Sequence, residues 1–182
     1  MLQTIFQKIP DHRRSQGRRY DLANVLLFSI LAIMSGADSY RKIHIFIKRH
    51  FKLLKNEFKA NWKKVPSYTV IRDIIQATNG QELEKAFREH SKILMQLDKK
   101  DNEMLCISCD GKTLRGSFDH FHDQKAVQIF SAFASNSKII LGHKEIKKDK
   151  TNEIPKMQEM IKELKLSNCL FTADAMHCQK KL

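Results

Sequence analysis

Cys106-Ile107-Ser108-Cys109-Asp110-Gly111-Lys112-Thr113-Leu114-Arg115-Gly116-Ser117 is the stretch on which the reading of this chain turns. Met104 to Cys109 is a short apolar run without helical spacing, which predicts a buried strand. Asp110 follows it at once. An acid just beyond an apolar strand sits where open α/β sheets bind ligands, or it simply caps a turn. Lys112 and Arg115 come next and can contact phosphates, or they are ordinary surface cations. Gly111 and Gly116 permit a tight turn or a close backbone approach.

Further along, the pattern recurs. Cys169 to Thr172 reads as a second short strand, and Asp174 follows. If the two strands are adjacent and parallel, both carboxylates emerge at one sheet edge. Paired carboxylates there suit Mg²⁺, a hard cation that shares its shell with phosphates. Two such ions can activate a hydroxyl and stabilise the leaving oxygen at phosphorus. Between the two acids lie strands at Val127–Ala134 and Ile139–Ile146, separated by the turn Ser135-Asn136-Ser137. An amphipathic helix follows, with Ile154, Met157, Ile161 and Leu164 on one side.

Upstream the periodicity is helical. Asp21 caps the run Leu22–Met34, which is apolar nearly all round and reads as a central helix stopped by Gly36. Ser39 caps a helix with Ile43, Phe46, Ile47 and Phe51 inward and a basic outer face of Arg41, Lys42, Lys48, Arg49, Lys52 and Lys55. Pro66-Ser67 opens a third helix, and Asn79-Gly80 breaks it before an amphipathic helix over Gln81–Leu97. The polar break at residues 99–102 predicts a boundary. The expectation is an α+β chain, with a helical basic domain over 1–100 and an α/β domain over 101–182.

The net charge is +13, and residues 1–102 hold 20 Lys/Arg against 10 Asp/Glu. Arg13, Arg14, Arg18 and Arg19 cluster in one turn. A phosphate backbone is the commonest partner of such a surface, because neutralised phosphates release condensed counterions. The alternative is a solvated basic surface with no partner. The N-terminus lacks the charged head and cleavage site of a signal peptide, so the four cysteines are expected as free thiols in the cytoplasm. The longest apolar run, 13 residues, is short of the roughly 20 that span a bilayer, so no membrane partner is expected. Cys106 and Cys109 have a zinc-like spacing, but positions three apart on a strand face opposite sides.

Several motifs together resemble the H-repeat-associated insertion-sequence transposases, a branch of the DDE class. They are Ile9-Pro10-Asp11-His12-Arg13-Arg14, Gly17-Arg18-Arg19-Tyr20, Ser35-Gly36-Ala37-Asp38-Ser39-Tyr40, Pro66-Ser67 with Arg72, and Asp110 to Ser117. Ser131-Ala132-Phe133-Ala134, Thr151-Asn152-Glu153-Ile154 and Asp174-Ala175-Met176-His177-Cys178-Gln179-Lys180 follow in the family's order. His177 departs from the family, which commonly has glycine there, and Asp119–Asp123 is unusually rich in histidine.

The resemblance implies a ribonuclease-H-like catalytic domain, incomplete here, behind a helical DNA-binding region. Asp110 and Asp174 then become the first two acidic ligands of a pair of Mg²⁺ or Mn²⁺ ions. Asn152 and Glu153 belong to a motif near the active sheet, supporting it or contacting DNA. By position alone, Glu153 is an acid complementing a helix N-terminus. The implied partners are double-stranded transposon ends and target DNA, met in the nucleoid, with a homo-oligomer as a further possibility. The family's third acid, a glutamate on a later helix, has no counterpart in these 182 residues. On this reading the chain alone binds DNA but cleaves it little, as a transposase fragment, a non-catalytic remnant or a regulator of an intact transposase.

Overall fold

Short polar side chains start the long helices of the front half. In the computed structural model, which describes residues 1–98, 104–114, 127–146 and 153–173, α2 spans Leu22–Met34, α3 Tyr40–Glu57, α4 Tyr68–Gln76 and α5 Gly80–Asp98. Asp21, Ser39 and Ser67 each accept a backbone N–H of the first turn of α2, α3 and α4. Asn79 does the same for α5, accepting from the N–H groups of Gln81 and Glu82. Such caps satisfy donors that the helix itself leaves free. Gly36 closes α2 at φ +91°. Its N–H reaches Ile33 O and the Ala37 N–H reaches Ala32 O, both at 2.9 Å. This crossed pair needs a left-handed residue, which glycine supplies without strain.

The chain divides into two compact units, Met1–Ala86 and Phe87–Leu182, with the division inside α5. The expected boundary at 99–102 falls outside the described residues.

In the first unit, α2 is buried nearly all round, as its composition predicts, with Val25, Phe28 and Ala32 wholly enclosed. Trp62 packs edge-on against Tyr20 and Phe28. Its Nε1 donates to Asp21 Oδ1 at 2.8 Å, while Asp21 Oδ2 accepts the Asn24 N–H at 2.9 Å. One carboxylate therefore starts α2 and anchors the indole. A short helix, α1 (Leu2–Phe6), escaped the sequence reading. Five residues are too few to show a period or to be helical alone. Tertiary contacts hold it: Ile5 and Phe6 are buried, and the Gln3 amide donates to Asn24 Oδ1 and Phe58 O.

The second unit contains β1 (Leu105–Thr113), β2 (Gln128–Ala134), β3 (Ile139–Ile146), α6 (Glu153–Leu164) and β4 (Cys169–Ala173). The sheet order is β3-β2-β1-β4; β1 is antiparallel to β2 and parallel to β4. Ile107, Cys109, Phe130, Ala132, Leu141 and Ile146 form a core with Met160 and Leu164 of α6. A polar clamp backs this face. Lys144 Nζ lies 2.7 Å from Glu159 and 2.6 Å from Glu163, and Arg88 reaches Glu163 at 2.7 Å. Burial alone would raise the Glu163 carboxyl, but the hydrogen bonds from Lys144 and Arg88 outweigh it and hold the group below its ordinary range. Ser91 of α5 adds a hydrogen bond to Ile140 O.

The observed fold is thus α+β, with helices first and a four-stranded mixed sheet second. One element differs from expectation. The first strand does not stop before Asp110 but runs on to Thr113, because pairing with β2 continues from Asp110↔Ser131 to Thr113↔Gln128. Gly111 accordingly lies within a strand, not in a turn.

Candidate functional site

Along β1, side chains alternate between the two faces of the sheet. Ile107 and Cys109 point into the core, and burial pushes the Cys109 thiol up to about 11. Cys106, Ser108, Asp110 and Lys112 therefore line the opposite face, where Asp110 and Lys112 are exposed. The same alternation puts Leu170 and Thr172 of β4 on that face, because they pair with Cys106 and Ser108. Thr172 Oγ1 lies 3.2 Å from Ser108 Oγ, and Ser108 Oγ lies 3.1 Å from Ser135 Oγ. A row of hydroxyls thus crosses the sheet one step before Asp110. On its other side Asp110 is opposite Ser131.

The parallel pairing of β1 with β4 ends at Cys109↔Ala173. Asp110 is the next residue on β1. Asp174 is the next in sequence after Ala173 but lies outside the described residues, as do Arg115 and Asn152. Glu153 is the first residue of α6. Among the described residues no group of three His, Cys, Asp or Glu side chains could hold a metal ion. Asp110 supplies one exposed oxygen donor, of the kind Mg²⁺ takes.

The basic surface of the first unit separates into two kinds of cation. Arg13 is largely buried and internally engaged. Its guanidinium contacts Asp11 at 2.6 Å, Tyr20 O at 2.8 Å and Gly17 O at 3.1 Å. The hydrogen bond from Arg13 is the main reason the Asp11 carboxyl lies below its ordinary range. Arg18 donates to Arg13 O and Asp11 O. These two arginines tie the 11–20 turn together, whereas Arg14 is exposed and Arg19 is exposed over the Tyr20 ring.

On α3, Ile43, Ile47 and Leu54 face inward. The opposite side exposes Arg41, Lys42, Lys48, Arg49 and Lys52. Lys42 pairs with Asp38 at 2.6 Å, and Arg41 stacks over Tyr68 at 5.2 Å. Five of the six cations named from the sequence for this helix are therefore exposed together on it, and Lys55 is half-buried. Lys112 belongs to the second unit. No described helix is long and apolar enough to cross a membrane.

Comparison with known proteins fits this arrangement. A DDE_Tnp_1-associated family model matches residues 3–91. The "Putative transposase YncI" of Escherichia coli K12 is 30% identical over 174 residues, which cover 95% of this chain and 67% of that protein. The chain belongs to the H-repeat-associated transposase family. The "H repeat-associated putative transposase YhhI" of the same strain is 30% identical over 175 residues, 96% of this chain and 44% of YhhI. The "H repeat-associated putative transposase YbfD" is 29% identical, with 96% and 66% covered. The chain thus spans less than half the length of YhhI and about two thirds of YncI and YbfD. No solved structure matches it.

For this transposase-family chain, sequence reasoning missed the Ser108, Ser135 and Thr172 hydroxyls. The available signal was the alternation Cys106, Ser108, Asp110, Lys112 against Ile107 and Cys109. A strand ending at Cys109 hides that signal, because only its extension to Thr113 puts Asp110 and Lys112 in the same alternation. The Lys144–Glu159–Glu163–Arg88 clamp was missed too, although Glu159 and Glu163 stand four apart on one helix face.

Proposed function

We propose that this chain is the front part of an insertion-sequence transposase, binding double-stranded transposon ends and target DNA through its basic helical unit. Asp110 and Asp174 are its first two acidic ligands for Mg²⁺ or Mn²⁺ in a ribonuclease-H-like domain. The observation that carries this reading is the parallel pairing of β1 with β4, ending at Cys109↔Ala173. Neighbouring strands run about 4.8 Å apart, and Asp174 follows Ala173 by one peptide unit, a Cα step of about 3.8 Å. Two carboxylates that continue this register would stand within the span of one or two bridging cations.

When bound, the metal pair supplies charge neutralisation for in-line displacement at a DNA phosphorus. The chain's own residues position it: Asp110 from a strand fixed on both edges, with Lys112 exposed two residues further on the same face to meet a phosphate. The Ser108–Thr172 contact fixes the spacing of the strands just before the acids. Asn152 and Glu153 would support this edge or meet DNA. The basic first unit matches a polyanion, and the family membership points the same way.

The test is duplex binding by the chain at rising salt, together with Mn²⁺ binding to wild type and Asp110→Asn. Affinity should fall by about tenfold or more between roughly 50 and 200 mM salt, and Asp110→Asn should lose Mn²⁺ but keep DNA. Salt-independent binding, or Mn²⁺ binding indifferent to Asp110, would contradict the proposal.

A further inference from the structure

The outer face of α3 is not uniformly cationic. Ile45 is 47% exposed and Leu53 is 65% exposed, both amid Arg41, Lys42, Lys48, Arg49 and Lys52. At 100° per residue, Ile45, Arg49, Lys52 and Asn56 fall at i, i+4, i+7 and i+11 along one stripe. That stripe lies opposite the buried Ile43, Ile47 and Leu54. Arg41 and Lys48 lie on one side of it, Lys42 and Leu53 on the other. Among the described residues, Lys48, Arg49, Lys52 and Asn56 have no side-chain partner.

We infer that α3 lies in the major groove of duplex DNA, with Ile45, Arg49, Lys52 and Asn56 turned to the base edges and Arg41 and Lys48 to the flanking phosphates. The inference rests on the proposal that the first unit binds DNA, and adds that this helix reads sequence. A helix that only followed the phosphate backbone would need cations alone, and an isoleucine in its centre would gain nothing there. Base edges differ in this respect. The thymine methyl takes an apolar contact, guanine O6 and N7 accept from arginine, and adenine N6 and N7 pair with asparagine. The stripe carries one of each kind.

Dimensions agree. The 18 residues of α3 make a rod about 27 Å long, and the groove is about 12 Å wide. From Ile45 to Asn56 the stripe covers roughly 16 Å, close to five base-pair steps of about 3.4 Å. Charge also agrees, since the only acid on α3 is Glu57, at its last position.

The experiment is selection from a pool of duplexes with a randomised core, using the whole chain, followed by sequencing of the bound fraction. Affinity for the unselected pool and sedimentation are measured alongside. Wild type should enrich a motif. Ile45→Ala should relax one thymine position, and Asn56→Ala one adenine position, each by about tenfold. The salt dependence of binding to the unselected pool should keep its wild-type slope, because neither residue carries charge. Salt-sensitive duplex binding with no enriched motif, or a motif untouched by both substitutions, would overturn this inference and leave the DNA-binding proposal standing. Failure to bind any duplex would overturn both. If Ile45→Ala and Leu53→Ala convert a self-associated species to a smaller one and leave the motif intact, the face joins two copies of the chain and the inference is wrong.

Discussion

Thr172 and Ser108 meet across the parallel strands β4 and β1, with Oγ1 and Oγ 3.2 Å apart. They are register partners two residues before the positions of Asp174 and Asp110. This polar contact lies on the face away from α6, so it links the strands without contributing to the apolar core. Thr172→Val should cost about 1 kcal/mol of unit stability and weaken Mn²⁺ binding without removing it. Chemical denaturation and a Mn²⁺ titration would check both. Metal binding unchanged in the variant would separate the hydroxyl row from the carboxylates.

The two kinds of arginine in the 11–20 turn should behave differently. Arg13→Ala leaves Asp11 without its main partner and the carbonyls of Gly17 and Tyr20 without a donor. A destabilisation of about 1–3 kcal/mol follows. Arg14→Ala should leave the melting temperature within experimental error and lower the salt dependence of duplex binding, by about 0.9 in log–log slope for each phosphate that is no longer neutralised. Thermal melts and anisotropy titrations separate the two effects.

Acid should weaken the same turn. The Asp11 carboxyl is held below its unperturbed 3.8 by Arg13, so its contribution is complete above that value and fades as pH falls through the lowered one. The melting temperature of the first unit should therefore drop below about pH 4, and Asp11→Asn should start lower but lose less on acidification. An unchanged pH slope in Asp11→Asn would assign the acid loss to other carboxylates.

Trp62 is the only tryptophan, so its fluorescence reports the first unit alone. Trp62→Phe should cost roughly 1–3 kcal/mol, since it leaves Asp21 Oδ1 unpaired in a part-buried setting. Denaturation curves followed by fluorescence and by circular dichroism would show whether the two units unfold together.

Much of this architecture is legible in the sequence because local chemistry and tertiary structure agree. Asp21, Ser39, Ser67 and Gly36 mark helix ends by hydrogen bonds that act within a few residues, and the apolar run Leu22–Met34 has nowhere to go but the core. What escaped was non-local. The extension of β1 past Asp110 depends on β2, some twenty residues away, and α1 depends on Gln3 reaching Asn24 and Phe58. The roles of Arg13 and Arg18 could not be told from those of Arg14 and Arg19 by composition, since all four are cations in one turn and only the fold decides which of them donate to the turn's own backbone. The pairing of β1 with β4 appeared in the sequence only as a condition, and the structure supplies it.

The central claim is that Asp110 and Asp174 hold one divalent site at the β1–β4 edge. Paramagnetic line broadening by substoichiometric Mn²⁺, followed over assigned backbone amides, tests it most directly. In the wild type, the amides around Asp110, Ser108 and Thr172 should broaden first, and Mg²⁺ should reverse the effect. Asp110→Asn and Asp174→Asn should each abolish it while leaving the remaining spectrum intact. Broadening centred elsewhere, or surviving either substitution at undiminished affinity, would contradict the claim.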